Sequence, residues 1–179
     1  LWDIKKQAIV NNESSEIIKM FNSAFDGLTE DTSDFYPSEL RDEIDTVNEL
    51  IYSNVNNGVY RTGFAVTQEA YEEAFDKLFQ TLDLLEERLD QQRYLVGDRL
   101  TEADWRLFST LLRFDIVYFG HFKCNRKHIY EYPNLWNFTL ELYQYPGIAE
   151  ITDFEHIKRG YYHLMPNVNP NGIVAKGPN

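Results

Sequence analysis

The chain has 179 residues, which is enough for one domain with a sizeable core that needs no disulfide bonds. Hydrophobic residues make up 43% and charged residues 26%, a composition that excludes disorder for most of the chain. Because 29 acidic residues outnumber 17 Lys and Arg, the formal net charge is -12, which disfavours binding to nucleic acid or to anionic membrane surfaces.

The amino-terminal residues predict a short hairpin followed by a helix. Two extended segments, at residues 1–4 and 8–10, flank a polar turn. A helical spacing of apolar residues follows, at Ile17, Ile18, Phe21 and Phe25. Two strands and one helix bury too little apolar surface to be stable alone. Since Leu1 is not an initiating methionine, we expect that the chain is truncated.

An acidic segment that is rich in turn-forming residues, 29–37, is typical of a linker. After it, the apolar spacing is helical. We expect Ser38 to cap a helix with one apolar face. That face contains Leu40, Ile44, Val47, Ile51 and Val55.

The rest of the chain predicts four more helices and an extended tail. The clearest helix lies between residues 68 and 92, because one apolar stripe runs along its acidic surface at steps of three and four. That stripe consists of Tyr71, Phe75, Leu78, Leu82, Leu85 and Leu89. A capping box of Thr101 and Asp104 predicts the start of the next helix.

That helix buries an apolar face as far as Phe114 and Tyr118. The next runs from Asn134 to the residues before Pro146, with Leu135, Phe138, Leu142 and Tyr145 on its apolar face. The last spans about residues 153–163. A tail from Pro166 is rich in Pro, Gly and Asn, so we expect it to lie extended on the surface.

The histidines and the single cysteine do not predict a metal site. The four histidines share no ligand spacing on one helix face, and Cys124 has no second cysteine with which to bind zinc. A nucleophile made of Cys124 and His121 or His128 stays open, but a structural thiol is favoured. With no disulfide, signal peptide or membrane-length apolar run, we expect a cytoplasmic protein.

Two groups of residues are candidates for ligand binding. Glu13 and Ser14 stand where the second strand gives way to a helix, a place that suits a carboxylate, although an ordinary helix cap explains them as well. Tyr60, Tyr118 and Tyr161 each stand at a helix end or beside a glycine, where a phenol can line a cleft. Most tyrosines in such positions only pack at the rim of a core.

A family resemblance rests on segments that occur in a fixed order. They are residues 9–18 (IVNNESSEII), 55–65 (VNNGVYRTGFA), 101–108 (TEADWRLF), 120–125 (GHFKCN) and 156–162 (HIKRGYY). In this combination the chain resembles the xi-class glutathione transferases, the glutathionyl-hydroquinone reductases. The resemblance extends from Leu1 to the tail at residues 169–173.

The resemblance implies a mainly α fold of glutathione-transferase type. Residues 1–28 resemble the last two strands and last helix of a thioredoxin-like domain, and 29–37 a linker. Residues 38–165 resemble the all-helical carboxy-terminal domain, which 166–179 follow as an extended tail. The family also implies a homodimer joined through the helical domain.

The resemblance also implies an enzyme that reduces glutathionyl-hydroquinones to hydroquinones, with glutathione as co-substrate. Glu13 and Ser14 match the residues that hold the γ-glutamyl end of glutathione. Tyr60, Tyr118 and Tyr161 match the tyrosines whose hydroxyls contact the hydroquinone. No metal is implied.

One departure from the family pattern affects the activity that we expect. The family's nucleophile lies in a Cys-Pro-Trp segment that these residues lack, and Cys124 does not replace it because the family carries both cysteines. We therefore expect the chain alone to be inactive. Two alternatives remain open: an omega-like thiol transferase that acts on other mixed disulfides or on dehydroascorbate, and a non-catalytic helical interaction module.

Overall fold

The structure, a computed structural model, describes residues 1–178 and is mainly helical. It opens with a two-stranded antiparallel hairpin of β1 (Trp2–Asp3) and β2 (Ala8–Ile9), in which Trp2 pairs with Ile9. The Asp3 carboxylate accepts hydrogen bonds from the amides of Lys5 and Lys6, both at 2.9 Å, which stabilises the turn. The predicted hairpin is confirmed.

Two short helices follow the hairpin, α1 (Ser14–Phe21) and α2 (Asp26–Thr29). No residue before Pro37 is buried, although the apolar residues of α1 lie at helical spacing. Polar contacts attach α1 to the helices that follow. The Lys19 ammonium donates to the Tyr36 hydroxyl and to the Asp45 carboxylate, both at 2.9 Å, and Tyr36 donates to Asp45 at 2.6 Å.

The next helix, α3 (Arg41–Ile51), begins later than predicted, and the expected cap by Ser38 is wrong. The Leu40 amide donates to the Pro37 carbonyl at 3.0 Å, so these residues form a turn before the helix. The Ser38 hydroxyl donates to the Glu39 carboxylate and not to a helix amide, because the first free amides lie further along the chain. The apolar face is as predicted, and Ile44, Val47, Ile51 and Val55 are buried.

Helices α4 (Gly58–Gly63) and α5 (Gln68–Gln91) come next. The Thr67 hydroxyl caps α5 by accepting from the Ala70 amide at 3.2 Å. The predicted stripe faces the core: Leu78, Leu82, Leu85 and Leu89 are buried, whereas Tyr71 and Phe75 are half-buried.

The predicted capping box starts α6 (Glu102–Arg113). The Asp104 carboxylate is fully buried and accepts from the Thr101 amide at 2.7 Å, the Thr101 hydroxyl at 2.9 Å and the Leu95 amide at 2.8 Å. It therefore fixes both the start of α6 and the loop before it. Burial raises the pKa of Asp104, and these hydrogen bonds oppose that rise.

The carboxy-terminal elements are short except for two helices. They are α7 (Phe119–His121), a 3-10 turn (Ile129–Glu131), α8 (Pro133–Tyr143), α9 (Ile148–Ile151) and α10 (Phe154–Leu164). The Asp153 carboxylate caps α10 at the His156 amide. Tyr145 is not on the apolar face of α8 as predicted, because α8 ends at Tyr143 and Tyr145 is exposed.

The core lies between five helices: α5 packs on α4 and α8, and α6 packs on α3 and α8. Its largest fully buried side chains are Tyr132, Phe79, Phe114, Phe122, Ile44, Ile51, Leu78, Leu82, Leu85, Leu95, Leu107 and Ile129. Within residues 1–178, no helix is both long and apolar enough to cross a membrane.

Candidate functional site

Three tyrosines that are far apart in sequence meet at one point. Tyr60 comes from α4, Tyr161 from α10, and Tyr118 from the residues between α6 and α7. The Tyr161 hydroxyl lies 2.6 Å from the Tyr60 hydroxyl and 2.9 Å from that of Tyr118. The structure thus brings together all three phenols that the sequence singled out, with Tyr161 in the centre.

Two π-helical segments place these tyrosines. One spans Tyr52–Asn56 between α3 and α4, and the other spans Phe114–Tyr118 between α6 and α7. A π segment inserts an extra residue into a helical turn, so the side chains after it point in a new direction. Tyr60 follows the first segment by one turn, and Tyr118 ends the second.

Phe122 forms an aromatic wall beside the tyrosine cluster, which consists of Tyr60, Tyr118 and Tyr161. The Phe122 ring stacks on Tyr118 at 5.4 Å and contacts Tyr60 edge-on at 5.3 Å between ring centroids. Phe122 can come this close to α4 because Gly63 has no side chain: a methyl group there would lie 2.7 Å from the Phe122 Cβ.

Burial keeps two of the phenols protonated. It raises the pKa of Tyr118 above its ordinary range, and the hydrogen bond with Tyr161 raises that pKa further. Burial also raises the pKa of Tyr161 to about 12, against an opposing effect of the positive charge of Arg113. At neutral pH both hydroxyls therefore carry their protons and can donate a hydrogen bond to an oxygen of a bound ligand.

The tyrosine cluster lies at one side of a cavity of about 1420 Å³. The same cavity reaches Glu13 and Ser14 at the beginning of α1, so the two predicted groups line one space. Glu13 is the residue before α1, and its side chain makes no capping hydrogen bond. Its amide donates to the Asn11 side chain at 2.6 Å, which fixes the chain where the helix begins. The carboxylate of Glu13 and the hydroxyl of Ser14 are exposed to the cavity and available to a ligand.

Polar residues on one side of α6 complete the cavity, and the sequence analysis did not single them out. Arg106, Ser109, Thr110 and Arg113 recur at helical spacing and line it. The Asn56 amide donates to the Thr110 hydroxyl at 2.6 Å and ties the first π segment to α6. The spacing was visible in the sequence, but a polar helix face is read by default as a face in solvent.

Cys124 is a structural residue and not an activated nucleophile. Its side chain is fully buried, and burial raises the pKa of the thiol to about 12. Its Sγ makes long hydrogen bonds to the carbonyls of Val59 and Phe122, both at 3.9 Å, and neither partner is a histidine. Reactive cysteines have lowered pKa values and access to solvent, and Cys124 has neither.

Two of the histidines, His121 and His128, are each packed against aromatic rings. His121 is buried, and burial lowers its pKa, so the ring is neutral at physiological pH. His128 stacks on Phe119 at 3.5 Å between ring centroids. Over residues 1–178, no group of three or more His, Cys, Asp or Glu side chains is arranged to hold a metal ion.

Comparison with known proteins identifies relatives over nearly all of the chain. Residues 68–139 match the family described as glutathione S-transferase, C-terminal domain. The chain is 56% identical to glutathionyl-hydroquinone reductase PcpF of Sphingobium chlorophenolicum, over 99% of this chain and 57% of that protein.

Solved structures show the same fold. The glutathione-bound structure of the glutathione transferase homologue YqjG from Escherichia coli has a TM-score of 0.97 and 52% identity. The glutathione S-transferase Xi from Phanerochaete chrysosporium has a TM-score of 0.95 and 52% identity. Each likeness covers 99% of this chain and 58% of the other, so the chain spans little more than half the length of these relatives.

Proposed function

Because the chain belongs to the xi class of the glutathione transferases, we propose that it supplies the aromatic-substrate site of a glutathionyl-hydroquinone reductase. The single observation that carries this proposal is the meeting of the Tyr60, Tyr118 and Tyr161 hydroxyls at the side of a large cavity. Hydroxyls so placed can hold the oxygens of a hydroquinone while aromatic side chains that line the cavity contact its ring.

Glutathione is the co-substrate in this proposal, and it enters at the beginning of α1. The Ser14 hydroxyl and the free amides of the first turn bind the γ-glutamyl carboxylate, because a helix amino terminus favours a negative charge. Glu13 pairs with the neighbouring ammonium group. The relative from Escherichia coli is a glutathione-bound structure, which supports glutathione as the ligand of this site.

The reaction needs a cysteine from outside these residues. A thiolate attacks the glutathione sulfur of the substrate, and the bond between that sulfur and the ring carbon breaks. The ring carbon keeps the electron pair and takes a proton, which yields the hydroquinone and an enzyme–glutathione mixed disulfide. A second glutathione thiolate attacks this disulfide, releases glutathione disulfide and restores the cysteine.

The tyrosine cluster acts on the leaving hydroquinone. Its hydroxyls hydrogen-bond the ring oxygens, which stabilises the negative charge that develops as the carbon–sulfur bond breaks. Tyr161 can also relay the proton, since its hydroxyl contacts both Tyr60 and Tyr118.

A homodimer in the cytoplasm, where the glutathione pool is kept reduced, belongs to the same proposal.

The test uses the complete reductase and the variant Tyr161→Phe, which keeps the ring and deletes the hydroxyl. We expect kcat/KM for a glutathionyl-hydroquinone to fall by about tenfold or more, because the other two phenols lose their shared partner. Exchange with a simple glutathione mixed disulfide should be spared, since no hydroquinone leaves in that reaction.

Two control variants make the result specific. Tyr130→Phe removes an exposed phenol that does not line the cavity and should leave both rates unchanged. Cys124→Ala should keep both activities, because the buried thiol is not the nucleophile. Equal losses in both reactions of Tyr161→Phe would contradict the role of the phenols and favour an omega-like thiol transferase or a purely structural cluster.

A further inference from the structure

Three basic side chains line the cavity, and they differ in what neutralises them. Lys19 is paired with Asp45 at 2.9 Å, and Arg106 is paired with the buried Glu102 carboxylate at 2.6 Å. The third is Arg113, in the last turn of α6. Among residues 1–178 no carboxylate forms an ion pair with Arg113, whose guanidinium donates to the Ser109 carbonyl of its own helix.

Arg113 lines the same cavity as the three tyrosines and is close to one of them in sequence. It is the last residue before the π segment that carries Tyr118. Burial raises the pKa of Tyr161, and the positive charge of Arg113 slightly opposes that rise. A half-buried guanidinium that forms no ion pair within residues 1–178, and that uses one N–H on a backbone carbonyl, keeps other N–H donors with which to pair with a ligand anion.

The positive charge of Arg113 is unusual because its surroundings are acidic. The chain carries a formal net charge of -12, and the carboxylates of Glu13 and Glu49 line the same cavity without an ion-pair partner among residues 1–178. An anionic aromatic molecule would be repelled from such a cavity unless one cation met it. Arg113 is in position to do so.

We infer that Arg113 binds a negatively charged substituent on the ring of the aromatic substrate, such as a carboxylate, while the tyrosine cluster holds the ring oxygens. The inference rests on the proposed function, since it assumes that the ring lies against these tyrosines. Arg113 is then a specificity-determining residue, which selects acidic hydroquinones over neutral ones.

The test compares two probes that differ in charge and otherwise only by one methyl group. Gentisate is a hydroquinone that carries one carboxylate, and its methyl ester is the neutral analogue. Binding of both to the 179-residue chain is measured by titration calorimetry at low salt. We expect gentisate to bind about tenfold more tightly than the ester, which is the typical advantage of a charge-assisted hydrogen bond.

Variants assign the preference to Arg113. In Arg113→Gln the ratio of the two affinities should fall to about one, whereas Arg113→Lys should retain part of it because the charge remains. Arg93→Gln is the matched control: it removes an exposed arginine that pairs with Glu141, and the ratio should not change. Melting curves of each variant check that the fold is intact.

Three results would overturn the inference. They are equal binding of acid and ester to the unaltered chain, a preference that survives in Arg113→Gln, and the absence of binding by either probe. A loss of affinity for glutathione in Arg113→Gln with an unchanged acid-to-ester ratio would also overturn it, because Arg113 would then bind a glutathione carboxylate. The rate of the complete reductase on a neutral glutathionyl-hydroquinone tests the proposed function separately.

Discussion

The amino-terminal region, residues 1–36, and the helical region that follows it contain similar apolar residues but use them differently. In the first, Ile4 and Leu28 are 77% and 81% exposed, and no side chain is buried. In the second, the apolar faces of α3, α5 and α6 meet in one core. Apolar residues at the same helical spacing are thus buried only where the apolar face of another helix packs against them.

The difference shows where the stability of the chain arises. The helical region has its own core, whereas α1 contacts that region through the hydrogen bond from the Lys19 ammonium to the Asp45 carboxylate. The exposed apolar surface is what we expect if residues 1–28 are part of a larger thioredoxin-like domain, because such surfaces mark contact sites. That assignment, like the linker at 29–37 and the other domain boundaries, stays a prediction.

The largest effect is expected from breaking the buried polar anchor of the helical region with Asp104→Asn. The new amide replaces one acceptor oxygen with a donor, so it faces the backbone amides of Leu95 or Thr101 without being able to accept from them. We expect a loss of about 3 kcal/mol in the free energy of unfolding, measured by urea denaturation.

The exposed Asp98 provides the control for this variant, and Asp98→Asn should change the free energy of unfolding by less than about 0.5 kcal/mol. A loss in Asp104→Asn no larger than that of the control would mean that the carboxylate does not anchor α6.

A smaller effect is expected from placing a methyl group in each of the two regions. In Gly63→Ala the methyl overlaps the Phe122 side chain, so the aromatic wall has to move, at a cost of about 2 kcal/mol. In Gly27→Ala, within α2, no atom lies within 4 Å of the new methyl, so stability should rise slightly through helix propensity. Thermal unfolding of both variants checks this, and similar melting shifts would contradict the contrast in packing.

The smallest effect is expected from loosening the contact between the two regions. Lys19→Met deletes the ammonium that bridges Tyr36 and Asp45. We expect the free energy of unfolding to fall by only about 0.5 kcal/mol, because both charges of the Lys19–Asp45 pair are partly exposed. Hydrogen exchange of the α1 amides should become faster while the amides of α5 keep their protection. Lys6→Met, which changes an exposed lysine of the same region, should have no effect.

Acid should act on the same contact. Burial opposes a low pKa at Asp45, but the hydrogen bonds from Tyr36 and Lys19 prevail and hold that pKa below its usual range. A carboxyl group whose pKa is lowered by folding stabilises the fold above its unfolded pKa of about 4, and this contribution disappears as the pH falls through the lowered value. The protection factors of the α1 amides should therefore decrease in acid before those of α5. Simultaneous loss in both helices would refute a separate contact.

Local signals in the sequence determined most of the helical region. The stripe of α5, the capping box of α6 and the cap of α10 by Asp153 depend on residues within a few positions of one another, so their pattern predicts the element directly. The prediction failed at Ser38 for a related reason. The turn from Pro37 to Leu40 competes for the same residues, and side-chain pattern alone does not decide between a turn and the first turn of a helix.

The candidate site was decided by tertiary structure. The sequence could name Tyr60, Tyr118 and Tyr161, but only the packing of α4, α6 and α10 brings their hydroxyls to within 2.6 Å and 2.9 Å of one another. The two π segments leave no periodic signal, because an inserted residue only shifts the register of the side chains after it. Likewise, Arg113 belongs to a polar helix face whose pattern is the same in solvent as in a cavity, and only the elements across from it make that face the wall of a cavity.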